Sequence, residues 1–445
     1  MPAAVPAFVA FHAELQADYP PAFADSAYLL RRIASGERLF GGSAVLRFAV
    51  VARAARQSWR RVVEPAPARK VDVLVIHVPD RADYYPLLCP VAAELERRGT
   101  LVTQLTPSTG WPQAAPAAWR RAQGNYGQLK RHEARFAARW GLTDEGRLEL
   151  TTVLRTQAYD AARTASALEA SAAKVGVAIH TKLEPGVLTG FRETGVPLLL
   201  MQHGVFSGAW PEHDFMGSSL LLAWGPYFSD ELASFEGPTP PSTVVGNPRL
   251  EGLLVDRSAH GKRGGAVYFG TNYAEDVDRR ALRLVAEALR GLDGPPTLYR
   301  PHPSEGKEKY QELVADGIIR AEQLATSGDS YDLVSGAGVV LGSQTTLLLE
   351  AAAIGVPALQ VLPDDVPVDW AKRGLPHASA KEDVGSMVRA ALHDGAYAAD
   401  LVRAARPLTQ AMFSEPRGAA MRSARAVEAA LTGVSSPTVP GAVRA

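Results

Sequence analysis

Lys70-Val71-Asp72-Val73-Leu74-Val75-Ile76-His77-Val78 is a short β-branched run that opens a strand–helix–strand unit. Polar loop residues follow it, and then Val91 to Arg98, whose apolar spacing is helical. Gly99 ends that helix and Leu101-Val102-Thr103-Gln104-Leu105 resumes strand character. A βαβ unit of this kind sets the expectation for the whole chain, because repeating it builds a doubly wound parallel sheet.

The repetition is there on both sides. A long helical interval rich in Ala, Arg and Leu fills residues 116 to 173. Strand candidates then come at Val177-Ala178-Ile179-His180, Val196-Pro197-Leu198-Leu199-Leu200-Met201, Leu220 to Gly225 and Ser242 to Pro248. The charged, glycine-rich span Asp256 to Gly265 reads as a boundary between two sheets. Beyond it, Gly265-Ala266-Val267-Tyr268-Phe269 is a strand, Asp276 to Arg290 an amphipathic helix, and Thr297 to Arg300 a strand. Gly338 to Gly342 is a buried-type strand, Thr345 to Ile354 its helix, and Val356 to Leu362 the next strand.

The expected fold class is therefore α/β: two Rossmann-like doubly wound domains facing a central cleft, with an N-terminal helical extension. The expected ranges are 1–66 for the extension, which Glu64-Pro65-Ala66-Pro67 closes, 67–255 for the first Rossmann-like domain and 256–433 for the second. The tail 434–445, rich in Ser, Pro, Val and Thr, is expected to be disordered.

A length of 445 residues suffices for two cores. Charge is balanced at 47 basic and 47 acidic residues, so no global field draws in nucleic acid or an anionic membrane, and an anionic ligand needs a local site. The single cysteine, Cys89, excludes an intramolecular disulfide and a multi-cysteine zinc site and suits a reducing cytosol. No apolar run spans a bilayer and the first residues lack a basic leader, so the expected location is the cytoplasm. Leu46 to Arg61, with Trp59, reads as a solvated helix, or alternatively as a basic amphipathic helix in peripheral contact with the inner membrane.

Three short motifs sit where apolar runs give way to polar residues, at the carboxyl ends of strands, where open α/β sheets bind ligands. Gln202-His203-Gly204 places an imidazole beside a residue without a side chain, and His203 is a candidate base for an acceptor hydroxyl. Arg300-Pro301-His302-Pro303 is a stiff loop carrying two cations suited to phosphate. Gly342-Ser343-Gln344-Thr345-Thr346 starts a helix whose free N–H groups and dipole favour an anion, with Ser343 also fitting an N-cap. Glu350, farther along that helix, is a candidate for ribose hydroxyls, and Gly270-Thr271-Asn272 a weaker phosphate or base-edge candidate. Each also has an ordinary structural reading: a histidine on a backbone carbonyl, an arginine pairing with Glu305, an exposed helix glutamate.

Taken together, Gln202-His203-Gly204, Gly246-Asn247-Pro248-Arg249, Arg300-Pro301-His302-Pro303 and Gly342 to Thr346 with Glu350-Ala351 occur in an order and spacing similar to bacterial GT-B transferases of surface polysaccharide. The types resembled are capsule or polysialic acid synthases and CDP-glycerol glycerophosphotransferases, over roughly residues 175 to 365. The resemblance implies a metal-independent glycosyltransferase that moves a sugar or a related polyol phosphate from a CMP-, CDP- or UDP-linked donor to a glycan or lipid-linked acceptor. It makes His203 the base, His302 the leaving-phosphate ligand or acid, and Ser343 and Thr345 further phosphate contacts. It implies no cofactor beyond the donor, which is a co-substrate; the lack of a basic stripe with aromatics speaks separately against a nucleic-acid partner. Polysialyltransferases carry an acidic pair before the glycine where this chain has Gln202-His203, and Asp144-Glu145-Gly146 matches that pair only in letters, inside a helical stretch.

Glu212, His213 and Asp214 beside Trp210 have the chemistry for a metal or an alternative base, with Glu212 and Asp214 the candidates for that base or for acceptor binding. GT-B sites of the families resembled do without a metal, and a solvated loop is the ordinary reading. No Gly-x-Gly-x-x-Gly follows the first strand and no Walker lysine is present, against a dinucleotide oxidoreductase or a P-loop kinase. Two other readings stay open: a nucleotide-sugar 2-epimerase, and a non-catalytic scaffold of polysaccharide assembly.

Overall fold

The computed structural model describes residues 8–36, 70–77, 84–105, 116–179, 185–205, 218–234, 239–256, 264–271, 275–292, 294–302, 305–366 and 370–433. These fall into two compact units, one within 1–223, 228–245 and 420–445, the other within 224–227 and 246–419. Both are Rossmann-like α/β folds.

In the first unit the strands are β1 (Val73–Ile76), β2 (Val102–Leu105), β3 (Val175–Ile179), β4 (Leu198–Met201), β5 (Leu220–Ala223) and β6 (Ser242–Val244). They form one sheet in the order β2-β1-β3-β4-β5-β6, every pairing parallel. Each residue of β1, β3 and β4 is buried, as strands covered by helices on both faces must be, which is why their sequences are apolar throughout. The helical interval is two helices, Pro116–Arg139 and Asp144–Ser171. Thr143 caps the second, its hydroxyl accepting from Gly146 N, so Asp144 and Glu145 occupy a first helical turn, where negative charge suits the dipole.

The amino-terminal helices Phe8–Asp18, Pro21–Ala24 and Ala27–Ala34 share a core with the two long helices, instead of standing apart as an extension. Phe11 lies 5.3 Å from the ring of Trp140, and Tyr19 stacks on Phe23 at 4.6 Å. A polar chain closes the joint: Ser26 donates to Gln157 at 2.7 Å, Thr189 donates to Asp25 at 2.5 Å, and Arg192 grips the same carboxylate with both terminal nitrogens. Helix Pro185–Thr194 approaches Asp144–Ser171 through Gly186 and Gly190, where a Cβ would meet backbone atoms of Gln157 and Ala161.

The second unit holds β7 (Ala266–Phe269), β8 (Leu298–Arg300), β9 (Val339–Gly342), β10 (Ala358–Val361) and β11 (His377–Ala378), in the order β11-β10-β9-β7-β8, again all parallel. Tyr268, Tyr299, Leu341 and Leu359 form its core with Leu282 and Val285 of helix Glu275–Ala288 and Tyr310 of helix Glu308–Ala315. The two-residue β11 was not expected, being too short to leave a pattern.

The boundaries shift from the expected ones. Helix Pro248–Asp256 belongs to the second unit because Asn247 and Arg249 bury their side chains there on Glu350. The chain also returns after residue 419: Arg422 donates to Val245 O at 3.0 Å, and Glu428 forms a two-pronged pair with Arg98. Leu46 to Arg61, the tail 434–445, and Glu212, His213 and Asp214 lie outside the described residues. No described helix is long and apolar enough to cross a membrane, and the described residues hold no group of three or more His, Cys, Asp or Glu that could hold a metal.

Candidate functional site

In the second sheet the chain steps from β7 outward to β8, then returns to the other side of β7 as β9. The loops leaving β7 and β9 therefore diverge, and the crevice at their carboxyl ends is where such sheets take ligands. Gly270 and Thr271 leave β7, while Ser343, Gln344, Thr345 and Thr346 leave β9. The topology thus brings six of the expected donor-binding residues to one switch point.

Their side chains divide the work differently from the expectation. Ser343 is 1 % exposed and turns inward, donating to Asp278 Oδ1 at 2.5 Å, while its carbonyl accepts from Gln360 Nε2 at 2.8 Å. The N-cap of helix Thr346–Ala353 is Thr345 and not Ser343, its Oγ1 accepting from Leu347 N at 3.4 Å. Gln344 is half-buried, and its Oε1 is enclosed with no hydrogen-bond partner among the described residues. Gly270 leaves room for Tyr310 Oη and Glu305 Oε1, which a Cβ there would displace.

His302 follows β8, half-buried, its main-chain N donating to Glu305 Oε1 at 2.5 Å. Arg300, at the end of β8, is engaged by the chain itself. Its Nη1 donates to Ala325 O at 2.7 Å and Ser327 O at 2.9 Å, Nη2 to Gly328 O at 2.6 Å and Nε to Ser330 Oγ at 3.3 Å. The planar fork that suits phosphate suits a loop of converging carbonyls equally well, and here it clamps 325–330.

Glu350 is also placed differently. It is 1 % exposed and accepts from Asn247 Nδ2 at 3.2 Å and Tyr331 Oη at 2.8 Å, with Arg249 Nη1 at 3.6 Å. Burial pushes its carboxyl pKa up, against the opposing pull of Arg249, Tyr331 and Asn247. The Gly246-Asn247-Pro248-Arg249 motif thereby has a structural account. Gly246 adopts φ +85°, Asn247 Oδ1 accepts from Arg249 N at 3.0 Å at the start of a helix, and both side chains reach Glu350.

In the first unit the chain turns back between β1 and β3, and His77 stands at the end of β1. It is 4 % exposed, with Nε2 2.8 Å from Gln104 Oε1 of β2 and Tyr85 edge-on at 4.6 Å. Burial lowers its pKa, partly offset by Gln104, so the ring is neutral at pH 7, and Nδ1 has no hydrogen-bond partner among the described residues. Sequence reasoning passed over His77, although a histidine closing a β-branched strand was the available signal. His203 lies past β4, half-buried, with the Tyr84 ring 5.1 Å away. The adjacent Tyr84 and Tyr85 thus touch one histidine each. Buried Gln202 donates to Gly204 O at 2.8 Å, shaping the turn, whereas a Cβ on Gly204 would meet no heavy atom of the described residues within 4 Å.

No family model matches the chain, and no curated protein matches it in sequence. Solved structures do match. The UDP complex of S. aureus MnaA aligns with a TM-score of 0.54 at 11 % identity, over 83 % of this chain and 100 % of that one. The UDP-GlcNAc 2-epimerase of Neisseria meningitidis bound to UDP-GlcNAc aligns with a TM-score of 0.52 at 13 % identity, over 81 % and 100 %. The wall teichoic acid polymerase TagF aligns at 0.48 and 10 % identity, over 88 % and 99 %. At such identities the likeness to the first two shows the fold, two Rossmann-like α/β domains.

Proposed function

We propose that the chain is a nucleotide-sugar-dependent glycosyltransferase of the GT-B class whose second unit holds a CMP-, CDP- or UDP-linked donor at the β7/β9 switch point. The observation that carries this reading is Gln344 Oε1, an enclosed acceptor without a described partner, at a helix start where Thr345 and Thr346 add hydroxyls. A ligand hydroxyl or amide donor would satisfy it, and the helix N–H groups and dipole would meet leaving-phosphate charge. His302, at the end of the neighbouring strand, is the group we assign to protonate or hydrogen-bond that phosphate.

His203 in the first unit is the assigned base. An acceptor hydroxyl oxygen attacks the anomeric carbon, its proton passes to the imidazole, and the bond from that carbon to the phosphate oxygen breaks. With a polyol phosphate donor the attack falls instead on the phosphorus that bears the polyol, whose bond to the bridging oxygen breaks and releases the nucleoside monophosphate. The acceptor assigned is a glycan or lipid-linked chain of a surface polysaccharide, on the motif resemblance. Fixed donors aimed at the departing oxygen lower the barrier with no demand for a bound metal.

A 2-epimerase is the second reading, favoured by the name of the Neisseria structure, which holds UDP-GlcNAc. Incubating the purified chain with UDP-GlcNAc and with CMP- and CDP-linked donors, without acceptor, separates the two. An epimerised sugar supports the second reading, and slow hydrolysis with nucleotide release supports the first. A melting temperature unmoved by CMP, CDP, UDP, GDP and their conjugates would overturn both.

A further inference from the structure

Behind the switch point lies a buried charged triad that the motifs did not announce. Lys309 is 3 % exposed, with Nζ 2.5 Å from Asp278 Oδ2 and 2.5 Å from Glu305 Oε2. Asp278 is wholly buried, and its Oδ1 accepts from Ser343 Oγ at 2.5 Å and Tyr268 Oη at 2.7 Å, its Oδ2 from Thr271 N at 3.4 Å. Glu305 Oε1 accepts from His302 N at 2.5 Å and Tyr310 Oη at 2.7 Å. One carboxylate therefore holds the loops after β7 and β9, the other holds the loop after β8, and the ammonium joins the two.

We propose that Lys309 is a positioning residue, which through Asp278 and Glu305 fixes the spacing of the three loops that receive the donor phosphates. The proposal rests on the nucleotide-donor reading above. Burying three charges is expensive, and apolar replacements of such triads are often as stable, so stability alone is a weak reason for this arrangement. Its product is geometry: Thr271, His302 and Ser343 follow three adjacent strands, β7, β8 and β9, and no other described ion pair links their carboxylates. Gly270 is part of the same device, since the space of its missing side chain is filled by the Tyr310–Glu305 hydrogen bond. Burial alone would pull the Lys309 pKa down, but Asp278 and Glu305 outweigh it and keep the ammonium charged.

The test uses the full chain and two variants, Lys309→Met and the charge-balanced Asp278→Asn/Lys309→Met, the second in case the first fails to fold. Amide hydrogen exchange without ligand reads the tether directly: the Thr271 and His302 amides should exchange at least about tenfold faster, with the β10 amides unchanged. Calorimetry with UDP and CDP reads the consequence, a dissociation constant raised by roughly tenfold or more, since a site loosened by about 1 Å binds poorly. Unchanged exchange at Thr271 and His302, or faster exchange throughout the second unit, overturns the positioning role. Faster local exchange with nucleotide affinity within twofold of wild type overturns it also. Wild-type protein that binds none of UDP, CDP, CMP, GDP and their conjugates, with the local exchange effect intact, overturns the donor reading and with it the claim that these loops receive phosphate, leaving the tether itself standing.

Discussion

Arg249 stacks its guanidinium on the ring of Tyr331, 4.6 Å from the centroid, and both side chains approach the same carboxylate, Glu350. A carboxyl so enclosed has a raised folded-state pKa. Above the ordinary value of 4.5, the native protein keeps a proton that the unfolded chain has released. Stability contributed by Glu350 is therefore present at low pH and falls as pH rises through the window from 4.5 to the folded value. Glu350→Gln never ionises, so the margin by which wild type exceeds it in urea melts should shrink with rising pH. A margin that widens would refute the assignment.

His77 runs the other way. Its folded pKa is depressed below the ordinary 6.5, so as pH falls through 6.5 the unfolded chain takes up a proton that the buried ring resists. The His77 contribution is whole above that value and is lost on acidification toward the folded pKa. His77→Gln should lose less stability than wild type between pH 7.5 and 5 in guanidinium titrations. Equal losses would show that the ring is as readily charged as in water.

Arg300→Lys should lower stability by about 1–3 kcal/mol, since one ammonium cannot replace a fork that serves three carbonyls and a hydroxyl. Proteolysis within 325–330 should accelerate in parallel. Unchanged melting with lost nucleotide binding would return Arg300 to the phosphate.

Two glycines are expected to behave oppositely. Gly270→Ala forces a methyl into the Tyr310–Glu305 hydrogen bond and should cost about 1–3 kcal/mol. Gly204→Ala has open space among the described residues and a backbone outside the left-handed region, so its melting temperature should match wild type. A collapse of Gly204→Ala in a thermal scan would contradict the space found there.

The two candidate catalytic histidines should separate by unit. His203→Ala should keep nucleotide affinity within twofold yet slow transfer by about 10²-fold. His302→Ala should slow turnover by a similar factor and also weaken nucleotide binding in calorimetry. Wild-type turnover in both variants would end the transferase mechanism.

The strands, and with them their carboxyl ends, were legible because parallel strands buried on both faces must be apolar runs, as Val73–Ile76 and Val339–Gly342 are. The loops that follow them were legible for the same reason. What the loop residues grip was not. Arg300 and Ser343 have the right chemistry for phosphate, but Ala325, Ser327 and Gly328, and Asp278, lie far from them along the chain and make the same kinds of bond. Asp278 and Lys309 lie on helices and Glu305 in the loop before one, and none of them stood out in the sequence, because burial of a charge is decided by partners that pattern reading does not see. The amino-terminal helices were recognised as helices, while their membership in the first unit depended on Phe11 meeting Trp140 across the fold.

That membership bears on any attempt to shorten the protein. A chain begun near Lys70 would keep both sheets and look tidy on paper. It would also leave Phe136, Trp140, Leu150 and Leu154 facing water, a greasy scar on the two longest helices, and would cut Arg192 loose from Asp25. Such a fragment is a recipe for inclusion bodies, and its silence in an assay would say nothing about chemistry.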